Sequence, residues 1–248
     1  MYLEHVPAHL GHFITAVWYA DSAVDSNEGH VVAPSPYAEM VLKVSPSRVE
    51  TVLSGVMTQQ KRYPHVADAH YFGIRFAPTV GATFAGFRLR ELLNESVTLE
   101  RFGRTQLGSF AEQLVETAVW SEQVALLETA VQQSPFATQH FANPDVLQAL
   151  DLIEQTQGQA TVKQISTEVG VSRRQLERLF LKDVGASPKT FSKIIRFQHV
   201  LQLLATDDTL PLAQIALQCG FADQAHLANE FRQTIGVPIS SYLGLSLP

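Results

Sequence analysis

The chain has 248 residues, enough for one large or two modest domains, each with its own core. Its apolar and charged fractions, 46% and 17%, are those of a soluble globular protein, and no apolar run approaches a membrane span. A net charge of −6 taken whole argues against a nucleic-acid partner, and the single cysteine, Cys219, excludes an intrachain disulfide.

The opening hundred residues read mostly as strands. Residues 13–19, 38–44, 51–56 and 71–76 are short apolar or alternating runs rich in β-branched and aromatic residues, separated by Gly, Pro, Ser and Asp. Phe72, Ile74 and Phe76 alternate with Gly73 and Arg75, so one face of that strand is apolar. Strands at this spacing predict a β-rich barrel or sandwich over residues 1–105. From Leu107 the pattern turns helical. Leu107, Phe110, Leu114 and Ala118 form one stripe, and Val124, Leu127 and Val131 a second. Residues 106–142 are therefore expected to be a helical connector, or to pair two copies of the chain unless the stripes pack on the protein's own sheet.

The β-rich half holds candidate ligand residues. Trp18, Tyr37, Tyr71 and Arg75, with Tyr19 and Met40, stand at strand positions where a cavity could be lined, although aromatics there are more often plain core. Arg75 is a lone charge in an apolar strand, suited to an anionic effector inside a barrel or to water outside it. His5, His9 and His12 lie close enough to consider a metal, but no carboxylate or cysteine stands at ligand spacing and Pro7 interrupts them. No Gly-x-Ser-x-Gly, P-loop or dinucleotide fingerprint occurs, so no catalytic residue, metal or cofactor is expected.

A tandem repeat occupies residues 161–242. One copy runs Val162-Lys163-Gln164-Ile165, Val169-Gly170-Val171, Ser172 to Leu176, then Phe180, Gly185 and Phe191. The other runs Leu212-Ala213-Gln214-Ile215, Cys219-Gly220-Phe221, Asp223 to Leu227, then Phe231, Gly236 and Tyr242. Ile165 to Ile215 and Gly170 to Gly220 are 50 residues apart, whereas Ser172 to Asp223 and Phe180 to Phe231 are 51, so Ala222 is an insertion at the corner. An insertion there rotates no helical face. Thr161 with Gln164, and Ser172 with Gln175, have capping-box spacing, so a helix ends and another begins between them. Gly170 and Gly220 supply the left-handed corner, Pro211 suits a first helical position and Asp223 caps the last recognition-type helix. Each copy is a helix-turn-helix.

Charge now reverses its first meaning. Residues 161–197 carry 8 Lys/Arg against 3 Asp/Glu, whereas residues 1–140 carry 9 against 14 and residues 198–248 carry 1 against 4. Exposed charges act over a Debye length of about 8 Å, so this local excess makes the first unit the electrostatic anchor. A charged outer face is also the norm for an ordinary surface helix; the repeat and the capped corners favour DNA. Arg173, Arg174, Gln175 and Arg178 are the expected base readers, since arginine can fork onto guanine and glutamine onto adenine. Lys182, Lys189 and Lys193 are assigned to phosphate. Gln224, His226 and Asn229 are the expected readers of the second unit, with Arg232 toward the backbone.

These residues resemble the C-terminal domain of AraC-type transcriptional regulators. The matching text is Ile165, Gly170-Val171-Ser172, Leu176, Phe180-Leu181-Lys182, Gly185-Ala186-Ser187-Pro188, Arg196, Leu203-Leu204, Ile215-Ala216, Gly220 to Gln224, His226-Leu227, Phe231-Arg232, Gly236 and Tyr242. The resemblance implies two helix-turn-helix units joined by a long helix, residues 191–205, entering successive major grooves. The chain departs from the family at Asn229 and Leu243, where a basic residue is usual, and at Pro238-Ile239, where serine or threonine then proline is usual. More loosely, Phe72 to Pro78 followed by residues 92–102 resembles the cupin-like N-terminal domain of some such regulators.

The expectation is an α+β multidomain protein with residues 143–248 as the DNA-binding domain. It is read as a cytoplasmic, sequence-specific transcriptional regulator modulated through its N-terminal domain. Its expected partners are double-stranded DNA and the transcription machinery, with a small-molecule effector and a second copy of the chain as further candidates. The alternative is a ligand-binding or metal-dependent enzyme domain fused to a regulator.

Overall fold

In a computed structural model, the structure describes residues 2–6, 13–21, 30–45, 48–64, 66–80, 89–98, 113–114, 116–117, 119–133, 143–206 and 209–243. The strands are β1 Tyr2–His5, β2 Ile14–Asp21, β3 His30–Val32, β4 Glu39–Ser45, β5 Arg48–Ser54, β6 Lys61–Tyr63, β7 His70–Phe76 and β8 Ser96–Thr98. Six of them form one antiparallel sheet in the order β1-β2-β7-β4-β5-β8, and β3 pairs with β6 in a second, two-stranded sheet. The alternation in β7 has the consequence expected of it. Phe72, Ile74 and Phe76 join Val17, Met40, Leu42, Val44 and Leu53 in a buried core on one face of the large sheet.

Helix α1, Trp120–Gln133, covers that core. Val124 and Leu127, with Leu114, belong to the same buried cluster as the sheet residues, and the Trp120 ring lies 6.3 Å from Tyr19. The described part of the apolar stripe is thus packed inside the chain, where each such leucine contributes about 1.5–3 kcal/mol. Leu107, Phe110 and Ala118, and the side chain of Val131, fall outside the described residues.

The C-terminal part is all helix: α2 Pro144–Gln155, α3 Val162–Val169, α4 Arg173–Asp183, α5 Pro188–Thr206, α6 Leu212–Gln218, α7 Gln224–Ile235 and α8 Ile239–Leu243. The repeat in sequence is a repeat of cores. Ile165, Leu176, Phe180 and Phe191 pack with residues of α2, while the matching Ile215, Leu227, Phe231 and Tyr242 form a second cluster. The long helix α5 gives Phe191 to the first core and Phe197, Val200 and Leu204 to the second. It begins three residues before the expected start, because Pro188 has the fixed φ that suits a first helical position.

The two parts are in contact. The Gln60 N–H donates to the Thr234 carbonyl at 3.1 Å, and the Gln198 side-chain amide donates to the Pro34 carbonyl at 3.3 Å. Val56 packs with Ala186, Ile194 and Leu93, and Gly185 lies against Leu89 of a short 3-10 helix, Leu89–Leu92.

Candidate nucleic-acid interface

The first corner is built by caps. Thr161 Oγ1 accepts from the Gln164 N–H at 3.2 Å while Gln164 Oε1 accepts from the Thr161 N–H at 2.8 Å. Gly170 then takes φ 77°, a left-handed conformation that costs a side-chain-bearing residue about 1–2 kcal/mol. Ser172 Oγ accepts from the Gln175 N–H at 3.2 Å and opens α4. Only that half of the second expected capping box forms, so the Gln175 amide stays free for another partner. At the second corner Gly220 has φ 73° and Asp223 Oδ1 accepts from the His226 N–H at 2.7 Å. Pro211 stands at the N-cap of α6, one position before the helical site expected for it, and makes no side-chain cap.

Leu176, Leu179 and Phe180 anchor α4 by one stripe. Arg173, Arg174, Gln175, Arg178 and Lys182 are all exposed on its other sides. Lys182 lies 3.6 Å from Asp183 but is 77% exposed, so that pair contributes little. On α7, Gln224, His226, Asn229 and Arg232 are exposed, as is Lys189 at the start of α5. The His226 ring is turned toward its own corner: Nδ1 accepts from the Ala222 N–H at 3.4 Å and the ring meets Phe221 edge-on at 5.3 Å. That leaves Nε2 as its unengaged nitrogen.

Three contacts between the units escaped the sequence reading. The Lys193 ammonium, expected at phosphate, pairs with the Glu230 carboxylate at 2.9 Å. The Arg196 guanidinium stacks 4.8 Å above the Phe221 ring at the second corner. The Gln159 amide donates to the Gln218 carbonyl at 2.8 Å. The second recognition helix and its corner are thereby tied to α5, and α6 to the loop before α3.

In the β part, Trp18 and Arg75 lie on the face of the large sheet opposite α1. Trp18 faces Gly73 across the strands, and its ring occupies the space that a side chain at Gly73 would need. Arg75 is held by Glu39 at 2.7 Å and Glu4 at 3.4 Å, with the Tyr37 ring 5.9 Å away. Burial works against the Arg75 charge, but the two carboxylates outweigh it and raise its pKa. Its charge is therefore already balanced. Burial, and then the charge of Glu154, push the Tyr37 hydroxyl up to about 12, and burial raises Tyr71. None of the four lines the apolar cavity of about 10 Å³ beside Met40, Leu42, Phe72, Ile74, Leu114 and Leu127, which is too small for a ligand. Among the described residues no group of three His, Cys, Asp or Glu could hold a metal, and no helix is long and apolar enough to cross a membrane. His9 and His12 lie outside them.

Two capped helix-turn-helix units on a shared helix, the first with an exposed cationic recognition face, define a bihelical DNA-binding domain. A family model described as a helix-turn-helix domain matches residues 165–244, and one described as a domain of unknown function (DUF6597) matches residues 4–98. The lactose operon transcription activator of Staphylococcus xylosus is 33% identical over 101 residues, covering 40% of this chain and 36% of that protein. The HTH-type transcriptional regulator ArgR of Pseudomonas aeruginosa is 32% identical over 97 residues, covering 39% of this chain and 29% of that protein. A solved transcriptional regulator of Chromobacterium violaceum, described as having an AraC-type DNA-binding domain, is 30% identical and covers 41% of this chain and 90% of that one, with a TM-score of 0.38. The chain thus spans about a third of the length of the curated relatives it matches. Its C-terminal part, residues 165–244, is a helix-turn-helix domain similar to those of AraC-type regulators.

Proposed function

We propose that the chain is a sequence-specific transcriptional regulator whose C-terminal domain binds double-stranded DNA and whose β-rich domain modulates that binding. The observation that carries this reading is the pair of capped corners whose two cores share α5, with five polar or cationic side chains of α4 exposed together. Arg173, Arg174, Gln175 and Arg178 read base edges, and Lys182 and Lys189 contact phosphate. Gln224, Asn229 and His226, the last through Nε2, read the second half of the site, while Arg232 meets the backbone. Residues 143–248 act as the DNA-binding domain and residues 1–105 as the sensing domain, joined by residues 106–142. A second copy of the chain has to join elsewhere than Val124 and Leu127, which the protein's own sheet covers. The regulator works where DNA is, in the cytoplasm, by placing itself beside the transcription machinery.

Selection of bound sequences from random DNA tests the reading. It expects a site with two unequal halves about one helical turn apart. Recovery of no motif, or binding indifferent to salt, would discard it.

A further inference from the structure

Across the sheet face opposite α1, Arg75, Glu39, Ser54 and Ser96 stand side by side on four adjacent strands. The two ends of this row differ in charge. Arg75 is balanced by Glu39 and Glu4. At the other end Lys61 comes over from β6 and places its ammonium 2.9 Å from Ser96 Oγ. Ser54 Oγ lies 3.0 Å and the Tyr63 hydroxyl 3.4 Å from the same atom. Lys61 also sits 5.5 Å from the centre of the Tyr63 ring. All four residues are partly buried, and Lys61 has no carboxylate partner among the described residues.

An ammonium has three N–H donors and each hydroxyl one. The contacts within the cluster use one N–H and at most two hydroxyl protons. Two N–H groups and one O–H have no acceptor among the described residues, beside a positive charge that no described carboxylate balances. Such a site suits an acceptor that carries negative charge. A single cation without an arginine fork or a helix N-terminus fits a carboxylate better than a doubly charged phosphate. The next row on the same face is Trp18, Gly73, Val41 and Val52; Gly73 is buried under the Trp18 ring, and the other three are partly covered. The Trp18 indole N–H in that row is buried without a partner.

We propose that Lys61, Ser54, Ser96 and Tyr63 bind the carboxylate of a small organic acid whose apolar body lies along Val41, Val52 and Trp18. The site also borders the contact between the two parts of the chain. Gln60, the residue before β6, donates its N–H to Thr234 near the end of α7. Occupancy at Lys61 therefore bears on how α7 is held, a consequence that rests on the DNA-binding reading above.

The experiment is calorimetric titration of the full chain with sodium benzoate, sodium hexanoate and inorganic phosphate in separate runs. The organic acids bind and phosphate does not. Lys61→Met weakens the acids about tenfold or more, the loss of a charge-assisted hydrogen bond. Ser96→Ala and Tyr63→Phe weaken them less, while Lys43→Met, a cation removed from the same sheet face, changes nothing. Thermal melts confirm that each variant folds. Should Lys61→Met fail to fold, unchanged affinity in both Ser96→Ala and Tyr63→Phe overturns the site. So does tighter binding of phosphate, equal affinity of Lys61→Met, or no binding of either acid. A chain that ignores both acids yet holds its selected DNA loses this inference and keeps the DNA-binding reading.

Discussion

The Lys193 ammonium lies 2.9 Å from the Glu230 carboxylate, so the helix shared by the two units is ion-paired to the second recognition helix. Arg196 over Phe221 and Gln159 on Gln218 hold the same junction. A lysine that sequence assigns to phosphate is, in the free protein, an internal strut.

Glu230→Gln separates those two roles. The Lys193 side chain is 43% exposed, so the pair is worth no more than about 1 kcal/mol and folding should change little. A released Lys193 can turn to phosphate and steepen the log–log salt dependence of DNA binding by about 0.9. Salt titrations of wild type and variant on one DNA site check this. An unchanged slope would mean that Lys193 does not face the duplex.

Gly185→Ala probes the contact between the β part and the helices. Gly185 has φ 84°, and an added Cβ would lie 2.6 Å from Leu89 Cβ and 2.7 Å from its carbonyl carbon. Left-handed strain of about 1–2 kcal/mol adds to that clash, and the shortest relief is for the parts to separate. The Gln60 amide, which bonds Thr234 across the same contact, should then exchange its proton faster with solvent. Unchanged stability with an equally protected Gln60 amide would contradict this account.

What could be read in advance follows from how information is stored in the chain. The helix-turn-helix pair was legible because Ile165, Leu176 and Phe180 recur as Ile215, Leu227 and Phe231, and those positions are the two cores. The four strands with clear alternation were legible for the same reason. β1, β3, β6 and β8 have only three or four residues, too few to show a period, so nothing marked Lys61 as part of a built cluster. The partners of Lys193 and Arg75 lie 37 and 36 residues away, and no local pattern encodes a contact between distant elements. Pro211 stands at the N-cap and not at the first helical position, a one-residue difference at a helix end, the least determined part of a helix.

Cys219 reports on opening of the second unit. It is fully buried, and burial pushes its thiol up to about 11, with the Arg196 charge pulling weakly the other way. The folded state therefore keeps a proton that the unfolded chain sheds at ordinary thiol pH values. Its contribution to stability is complete below the unfolded pKa and is lost as pH rises toward about 11. Iodoacetamide at neutral pH should modify Cys219 only as fast as the domain opens, and denaturant should accelerate it. Immediate stoichiometric labelling of the native chain would show that the thiol is not enclosed.

The two recognition helices should answer salt differently. Aligned from their caps, Arg173, Arg174, Arg178 and Lys182 of α4 stand opposite Gln224, Ala225, Asn229 and Gln233 of α7, and all eight are exposed. Each phosphate neutralised by a cation steepens the salt slope by about 0.9, whereas a neutral amide displaces no counterion. Arg178→Ala should weaken binding and, where it touches phosphate, flatten the slope by about one unit. Where it reads guanine it should instead relax preference at one base pair, at a cost of about 1–3 kcal/mol. Asn229→Ala should leave the slope alone and lose preference, for adenine, in the half-site about one helical turn away. Salt titrations combined with base-by-base competition on one DNA site separate these outcomes. Equal slope changes in both variants would make the two helices electrostatically equivalent and remove the assignment of α7 as an uncharged reader.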